Sequence, residues 1–230
     1  MVTSKRTAVK RPYQSSLREE QARRTRRAIV SAASALFVES GYVGTTVDAI
    51  AERAGVSRKT VFTSVGGKPD ALKLAIDWAN VGDDEPVPML ERPHVQEGLR
   101  EPDARRVLAL FAGDFVHIAE RNFELFDVLR QAVGADPQLR ELADDLDSQR
   151  LRGMTALAEQ LQRRDSLRPD LTVATAAEVL CALTAEGSYG WLVRRQGWSP
   201  ERFQTWFADV LVHALVDPTY RPPRRRRTAD

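Results

Sequence analysis

Apolar residues recur three or four positions apart along most of the chain, which is the spacing of helices that bury one face. The first stripe predicts a helix from about Leu17 to Ser40 and consists of Ile29, Ala33, Leu36 and Phe37. Similar stripes predict further helices over residues 69–80, 137–164, 171–196 and 200–216. The pattern therefore predicts an all-α protein.

Prolines interrupt this pattern in one long segment, residues 82–100, which we expect to connect helices without forming one. Pro102 is expected in the first turn of the next helix, which would run through Ile118. We expect a bend near Arg121 and Asn122, before a helical stripe over residues 123–133.

Two short helices joined by a tight turn are predicted between residues 45 and 65. Thr45 is expected to cap the first helix, with Asp48 as the answering side chain of a capping box. Gly55 suits the left-handed conformation that closes a helix, and Ser57 is expected to cap the second. The outward face of that helix is cationic and rich in hydroxyls, whereas Val61 and Val65 point inward. The unit predicts a helix-turn-helix, whose second helix has the size and chemistry for a DNA major groove.

The sequence from residue 23 to residue 72 resembles the N-terminal domain of the TetR (TetR/AcrR) transcription regulators. The matching residues are Ala28, Ile29, Ala32, Ala33, Leu36, Phe37, Gly41, Tyr42, Gly44, Thr45, Thr46, Val47, Ile50, Ala51, Ala54, Gly55, Val56, Ser57, Thr60, Phe62, Lys68 and Leu72. The resemblance implies a dimeric all-α DNA-binding regulator, with its recognition helix at residues 57–64 and a separate effector domain.

The resemblance also implies which side chains contact DNA. Arg58 and Lys59 are the candidates for base edges or nearby phosphates, and Arg58 is the first choice for specificity because arginine can contact guanine through two hydrogen bonds. Phe62 stands where the family commonly has a tyrosine whose hydroxyl meets phosphate, so it can pack but cannot donate. The remaining candidates are Thr45, Thr46, Ser57, Thr60, Thr63, Ser64 and Lys68.

Four segments follow from this organisation. We expect a disordered basic arm at residues 1–16, the helix-turn-helix domain at 17–67, an effector-binding and dimerisation domain at 68–217, and a disordered basic tail at 218–230. The last two helices resemble the family's dimerisation pair, which implies a homodimer. The effector is a small molecule of unknown identity.

Aromatic and sulfur-containing side chains in the larger domain are candidates for lining an apolar effector pocket. Such stripes are more often ordinary core, whereas Trp78 fits either role equally well. The candidate ligand-binding residues are Trp78, Phe111, Phe115, Phe126, Arg130, Met154 and Tyr189.

The net charge of +2 hides a segregation of charge along the 230 residues. Residues 1–68 hold 13 Lys and Arg against 5 Asp and Glu, whereas residues 69–220 hold 16 against 26. The basic excess therefore accompanies the predicted DNA-binding unit, as phosphate contacts require.

Other classes of protein find little support. The single cysteine, Cys181, allows no internal disulfide, and neither a secretory signal nor a membrane-spanning stretch is apparent, so we expect a cytoplasmic protein. No catalytic, cofactor or metal pattern occurs, and we expect no enzyme activity, no cofactor and no metal. The alternative function is a non-specific or architectural DNA-binding protein without an effector.

Overall fold

The computed structural model describes residues 12–223, apart from the side chains of residues 12–16 and 186. Within residues 12–223 it contains helices and no strand, and an isolated antiparallel bridge joins Leu167 to Val216. The all-α fold class is confirmed. The helices are α1 (Pro12–Gly44), α2 (Val47–Ala54), α3 (Arg58–Ser64), α4 (Lys68–Val81), α5 (Pro93–Arg100), α6 (Ala104–Ala132), α7 (Pro137–Gln162), α8 (Val173–Leu183), α9 (Glu186–Tyr189) and α10 (Pro200–Leu215).

The chain forms two compact units, Met1–Ala75 and Ile76–Asp230, with the division inside α4. We expected the boundary at residue 67, before this helix. The first half of α4 belongs to the first unit, where Ala71 and Leu72 are fully buried. Those apolar side chains explain why the helix is shared rather than assigned to the second unit.

The first unit is built on α1. Ile29, Ala33 and Phe37 are fully buried, as the stripe predicts, and the ring of Phe37 stacks on Tyr42 with centroids 5.9 Å apart. The helix begins at Pro12 rather than near Leu17, so residues 12–16 are helical and the predicted arm is wrong for them. Proline is tolerated in the first turn, because its missing N–H has no helical partner there. The rest of the arm, residues 1–11, lies outside the described residues.

In the second unit, α6 packs on α10 and α7 packs on α8. The predicted bend near Arg121 and Asn122 is wrong, since α6 is continuous from Ala104 to Ala132. Arg121 donates to the carbonyl oxygens of Ala79 and Asn80, at 2.8 and 3.1 Å, and Asn122 donates to the Asn80 side chain. These polar side chains bind the end of α4 from a regular helix, so they do not interrupt α6.

The segment after α4 is more ordered than its prolines suggested. A short 3₁₀ turn at Met89–Glu91 leads into α5, whose first residue, Pro93, occupies a favoured position for proline. Asp83 accepts two hydrogen bonds from the buried Arg92, at 2.6 and 2.8 Å, and so ties the segment together. Pro102 does not open α6, because Asp103 caps it by accepting from the Arg105 N–H at 3.0 Å.

The predicted helix over residues 171–196 is interrupted. It ends first at Leu183, where the Thr184 hydroxyl donates to the Leu180 carbonyl oxygen at 2.7 Å. The chain resumes as α9 and a π-helical segment, Gly190–Arg195. A Cβ atom at Gly190 would lie 2.7 Å from the Phe123 ring, so glycine permits this close approach to α6. The predicted start of α10 is confirmed.

The end of the second unit corrects the predicted tail. Tyr220 is buried, and its hydroxyl accepts from the Ala104 N–H at 3.2 Å and donates to the Pro102 carbonyl oxygen at 3.4 Å. A tail disordered from residue 218 is therefore wrong at its start, because a buried aromatic side chain fixes the chain there. Residues 224–230 of that tail lie outside the described residues. Across the described part of the chain, every helix is too short or too polar to cross a lipid bilayer.

Candidate nucleic-acid interface

The start of α2 differs from the prediction by one residue. Thr46 is the cap, and its hydroxyl oxygen accepts from the Ala49 N–H at 3.1 Å. Thr45 is only 1 % exposed, and its hydroxyl donates to the Gly41 carbonyl oxygen at 2.8 Å. Gly41 has non-helical dihedral angles, so its carbonyl needs a partner from outside the regular helix pattern. Thr45 therefore supports the fold and cannot reach a nucleic acid, which corrects its place among the DNA-contacting candidates.

The turn between α2 and α3 forms as predicted. Gly55 adopts the left-handed conformation (φ 68°, ψ 32°), and the Val56 N–H donates to the Ala51 carbonyl oxygen at 3.0 Å. Ser57 then caps α3, with its hydroxyl oxygen accepting from the Thr60 N–H at 3.1 Å. Both ends of the turn are thus held by hydrogen bonds, which sets the direction in which α3 leaves it.

The exposed face of α3 is the one that the sequence predicted. Val61 is fully buried, whereas four side chains of the helix are exposed and the Thr60 and Ser64 side chains are partly buried. Val65, predicted to point inward, is only partly buried. Ser57 and Thr46 are exposed at the two caps. The exposed side chains of α3 are Arg58, Lys59, Phe62 and Thr63.

Two contacts hold the helix-turn-helix against α1. The Arg53 guanidinium donates two hydrogen bonds to the Glu39 carboxylate, at 2.9 and 2.8 Å, and these bonds lower the pKa of Glu39. The Arg26 Nε atom donates to the Ser64 carbonyl oxygen at the end of α3, at 3.0 Å. Arg26 therefore satisfies a helix-end carbonyl group instead of remaining a free surface cation.

Lys68, the last DNA-contacting candidate, is partly engaged inside the protein. Its Nζ atom donates to the Tyr42 carbonyl oxygen at 3.0 Å and lies 4.1 Å from the centre of the Tyr42 ring.

Arg58 has a partner that sequence reasoning missed. Its Nη1 atom donates to the Asp48 carboxylate at 2.5 Å, and its Cζ atom lies 5.5 Å from the centre of the Phe62 ring. The sequence assigned Asp48 to a cap, because a contact across the turn has no local signature. The Arg58–Phe62 contact was detectable in principle, since residues four apart share one face of a helix.

The ligand-binding candidates do not form one group. Phe115 and Tyr189 belong to an aromatic cluster with Phe203, at centroid distances of 6.3 and 5.3 Å from it. Tyr189 is buried, and loss of solvent raises the pKa of its hydroxyl. Phe207 also belongs to the cluster, 4.9 Å from Phe115.

The other candidates lie outside that cluster or at its edge. Phe111 and Met154 are partly buried against the same core, and Trp78 and Phe126 are also partly buried. Arg130 is exposed and pairs with Asp127 in its own helix, so it does not face the aromatic cluster.

The fold and the exposed cationic helix define a helix-turn-helix unit, a class of DNA-binding element. Residues 29–68 match the family model of the bacterial regulatory proteins of the tetR family. This part of the chain, which contains the helix-turn-helix, is similar to that family.

One relative and several solved structures are similar over most of the chain. The HTH-type transcriptional repressor BepR of Brucella suis biovar 1 (strain 1330) is 27 % identical over 198 residues, which cover 84 % of this chain and 88 % of BepR. NalD, the secondary repressor of the MexAB-OprM multidrug efflux pump in Pseudomonas aeruginosa, is 24 % identical, with a TM-score of 0.63 over 84 % of this chain and 97 % of NalD.

A complex of SmeT with triclosan is 21 % identical, with a TM-score of 0.63 over 90 % of this chain and 99 % of SmeT. SmeT is the repressor of the Stenotrophomonas maltophilia multidrug efflux pump SmeDEF. At this level of identity, the solved structures establish a shared fold.

Proposed function

We propose that the chain is a homodimeric, sequence-specific repressor that binds a palindromic DNA operator and responds to a small molecule. The observation that carries this proposal is the orientation of α3. Its cap at Ser57 and the buried Val61 leave Arg58 and Lys59 exposed on one side of a rigid turn. A short cationic helix held in this way can enter the major groove and contact base edges.

The DNA contacts divide by chemistry. Arg58 reads a guanine, and Lys59 and the hydroxyl groups of Thr46, Ser57 and Thr63 bind the phosphate backbone. Thr60, Ser64 and Lys68 add contacts at the edge of the interface, and Phe62 makes an apolar contact without a hydrogen bond. Thr45 is excluded because it is buried.

Dimerisation through the end of the chain supplies the second recognition helix. The π-helical segment between α9 and α10 exposes about half of the Trp191 side chain, and Arg195 lies 4.8 Å from the centre of that ring. An exposed tryptophan is typical of the anchors of protein interfaces. A two-fold symmetric dimer repeats the same contacts on two half-sites, and this symmetry requires a palindromic operator.

The effector is a small apolar or amphipathic molecule that binds in the second unit. Similar repressors control multidrug efflux pumps, and one of them has been solved with triclosan. Phe111 and Met154 border the aromatic core and are only partly buried, which favours them as contacts for such a molecule. The effector shifts operator binding only if it has different affinities for the DNA-bound and free arrangements.

The decisive experiment selects bound sites from randomised duplex DNA and measures the solution mass of the protein with and without the selected duplex. Recovery of a palindrome by a dimer supports the proposal. Equal recovery of all sequences would reject it in favour of a non-specific DNA-binding protein, since purely electrostatic binding prefers no site. A monomeric mass on the duplex would reject the dimer.

Fluorescence anisotropy tests the effector with triclosan as the probe. Release of the labelled operator by triclosan, together with a raised melting temperature of the protein alone, supports a ligand site in the folded chain. Phe111→Ala is expected to weaken the response to triclosan and to leave operator affinity unchanged. An operator complex that responds equally in Phe111→Ala would place the site elsewhere.

A further inference from the structure

The carboxylate of Asp48 lies against the side chain that the proposed function makes the specificity residue. Asp48 is in the first turn of α2 and Arg58 is the first residue of α3, so the ion pair bridges the two helices across the turn. The distance from Arg58 Nη1 to Asp48 Oδ2 is 2.5 Å. The pair therefore fixes where the guanidinium lies relative to both helices.

The pair leaves a defined part of Arg58 available. Within residues 12–223, Nη1 donates to Asp48, whereas Nε and Nη2 have no protein acceptor. These two atoms form one edge of the planar guanidinium, with parallel N–H bonds suited to two acceptors side by side. The O6 and N7 atoms of guanine are such a pair of acceptors in the major groove. The ring of Phe62 lies beside the same guanidinium and has no polar atom that competes for that edge.

Stability does not explain this arrangement. The Arg58 and Asp48 side chains are 57 % and 67 % exposed, and ion pairs this exposed stabilise a fold by about 0.2–1 kcal/mol. A carboxylate on a DNA-binding surface also repels phosphate, which opposes binding to any sequence. Asp48 therefore weakens general DNA affinity and contributes little to the fold.

We propose that Asp48 is a positioning residue that sets the sequence specificity of Arg58. By holding Nη1, it fixes the direction in which the Nε–Nη2 edge points and partly neutralises the arginine charge. Phosphate oxygens also match that edge, so the ion pair favours guanine through the direction of the edge and the reduced charge, and both contacts leave the pair closed. The inference rests on the proposed function, because it assumes that α3 lies in the major groove.

Lys59 provides the contrast within the same helix. It is exposed, and among the described residues its ammonium group makes no ion pair. Its charge is free to bind phosphate in any sequence, so Lys59 contributes affinity and Arg58 contributes discrimination. The two neighbouring cations differ because one of them has a carboxylate partner.

The test compares Asp48→Ala with the wild-type protein on three duplexes at fixed salt. The first is the selected operator and the second is a random duplex. The third is the operator with one base pair changed, at the position where the Arg58→Ala variant no longer prefers one base over another. Asp48→Ala is expected to raise affinity for the random duplex about two- to fivefold and to reduce discrimination between the two operators by a similar factor, as the loss of an exposed ion pair implies.

Two further variants isolate the mechanism. Glu52→Ala is the matched control, since it removes a negative charge from the same helix without removing the partner of Arg58. It is expected to raise affinity for all three duplexes by the same factor. In the Arg58→Ala background, Asp48→Ala is expected to leave discrimination unchanged. Thermal unfolding of each variant checks that the fold is intact.

Each outcome is decisive. A change in discrimination that persists without Arg58, or an equal effect of Asp48→Ala on both operators, overturns the inference while the proposed function stands. An Arg58→Ala variant that keeps the full base preference also overturns it. If the wild-type protein selects no sequence, the proposed function fails, and this inference fails with it.

Discussion

Replacing Thr45 with valine tests whether this threonine stabilises the fold or contacts DNA. Valine keeps the shape of the side chain and removes the hydroxyl that donates to the Gly41 carbonyl oxygen at 2.8 Å. Thr45 is 1 % exposed and its bond to Gly41 is partly buried, so water replaces the lost bond only in part. A hydrogen bond contributes about 0.5–1.5 kcal/mol and an unsatisfied buried acceptor costs about 1–3 kcal/mol, whereas the added methyl group is favourable. We expect the free energy of unfolding to fall by about 1–2 kcal/mol.

Urea unfolding followed by far-ultraviolet circular dichroism measures this change, because all the tryptophans lie after residue 75 and do not report on the first unit. Operator affinity at low temperature, where the variant is folded, is expected to stay within about twofold of wild type.

Thr63→Val is the reciprocal control for this experiment. It removes the same hydroxyl from an exposed position, where it donates to the Lys59 and Thr60 carbonyl oxygens of its own helix. Its stability is expected to change by less than about 0.5 kcal/mol, while operator affinity falls. The reasoning is refuted if Thr45→Val keeps wild-type stability and loses operator affinity.

Three other predictions concern packing, salt and pH. Gly190→Ala is expected to destabilise the protein by about 1–3 kcal/mol in urea unfolding, because its Cβ would lie 2.7 Å from the Phe123 ring. The matched Gly153→Ala, whose Cβ would meet nothing within 4 Å apart from its chain neighbours and its own helix backbone, is expected to stabilise α7 by about 0.5–1 kcal/mol. Equal effects of the two variants would contradict the packing argument. Lys59→Ala should weaken binding to the operator and to random DNA by the same factor. It should also reduce the slope of the logarithm of the binding constant against the logarithm of the salt concentration by about one, as measured by fluorescence anisotropy over a salt series. Hydrogen bonds from the Arg92 guanidinium and then from the Glu85 N–H hold the pKa of Asp83 at about 2, below its ordinary value of 3.8. The ionised Asp83 therefore stabilises the fold fully when the pH is above 3.8, and this stabilisation is lost as the pH falls towards 2. Asp83→Asn is expected to flatten the acid limb of the stability curve over that interval, and an unchanged limb would contradict the assignment.

Local signals in the sequence were sufficient for the caps and the central turn. Gly55 and Ser57 each occupy the predicted position, because a cap binds an N–H group within three residues and a left-handed glycine acts on its own helix end. The buried side of α3 also followed from the spacing of Val61. The helix-turn-helix was therefore recognisable from the amino-acid sequence alone.

Predictions failed where a local pattern had a distant partner. Asn122 suggested a bend, yet it binds Asn80 from within a continuous helix. Tyr220 was assigned to a disordered tail, yet its hydroxyl accepts from the Ala104 N–H, more than a hundred residues earlier. Proline at position 93 suggested a connection and instead starts α5. The first two errors came from residues whose role depends on a group that is remote in the sequence.

By itself, then, the sequence determined the all-α class, the position of the turn and the cationic character of α3, because these depend on residues within one or two helical turns of one another. Only the tertiary structure decided that Thr45 is buried while Thr46 is the cap, and that Arg58 is paired with Asp48. The physical reason is that burial and ion pairing depend on distances between atoms in space, and two helices must pack before those distances exist.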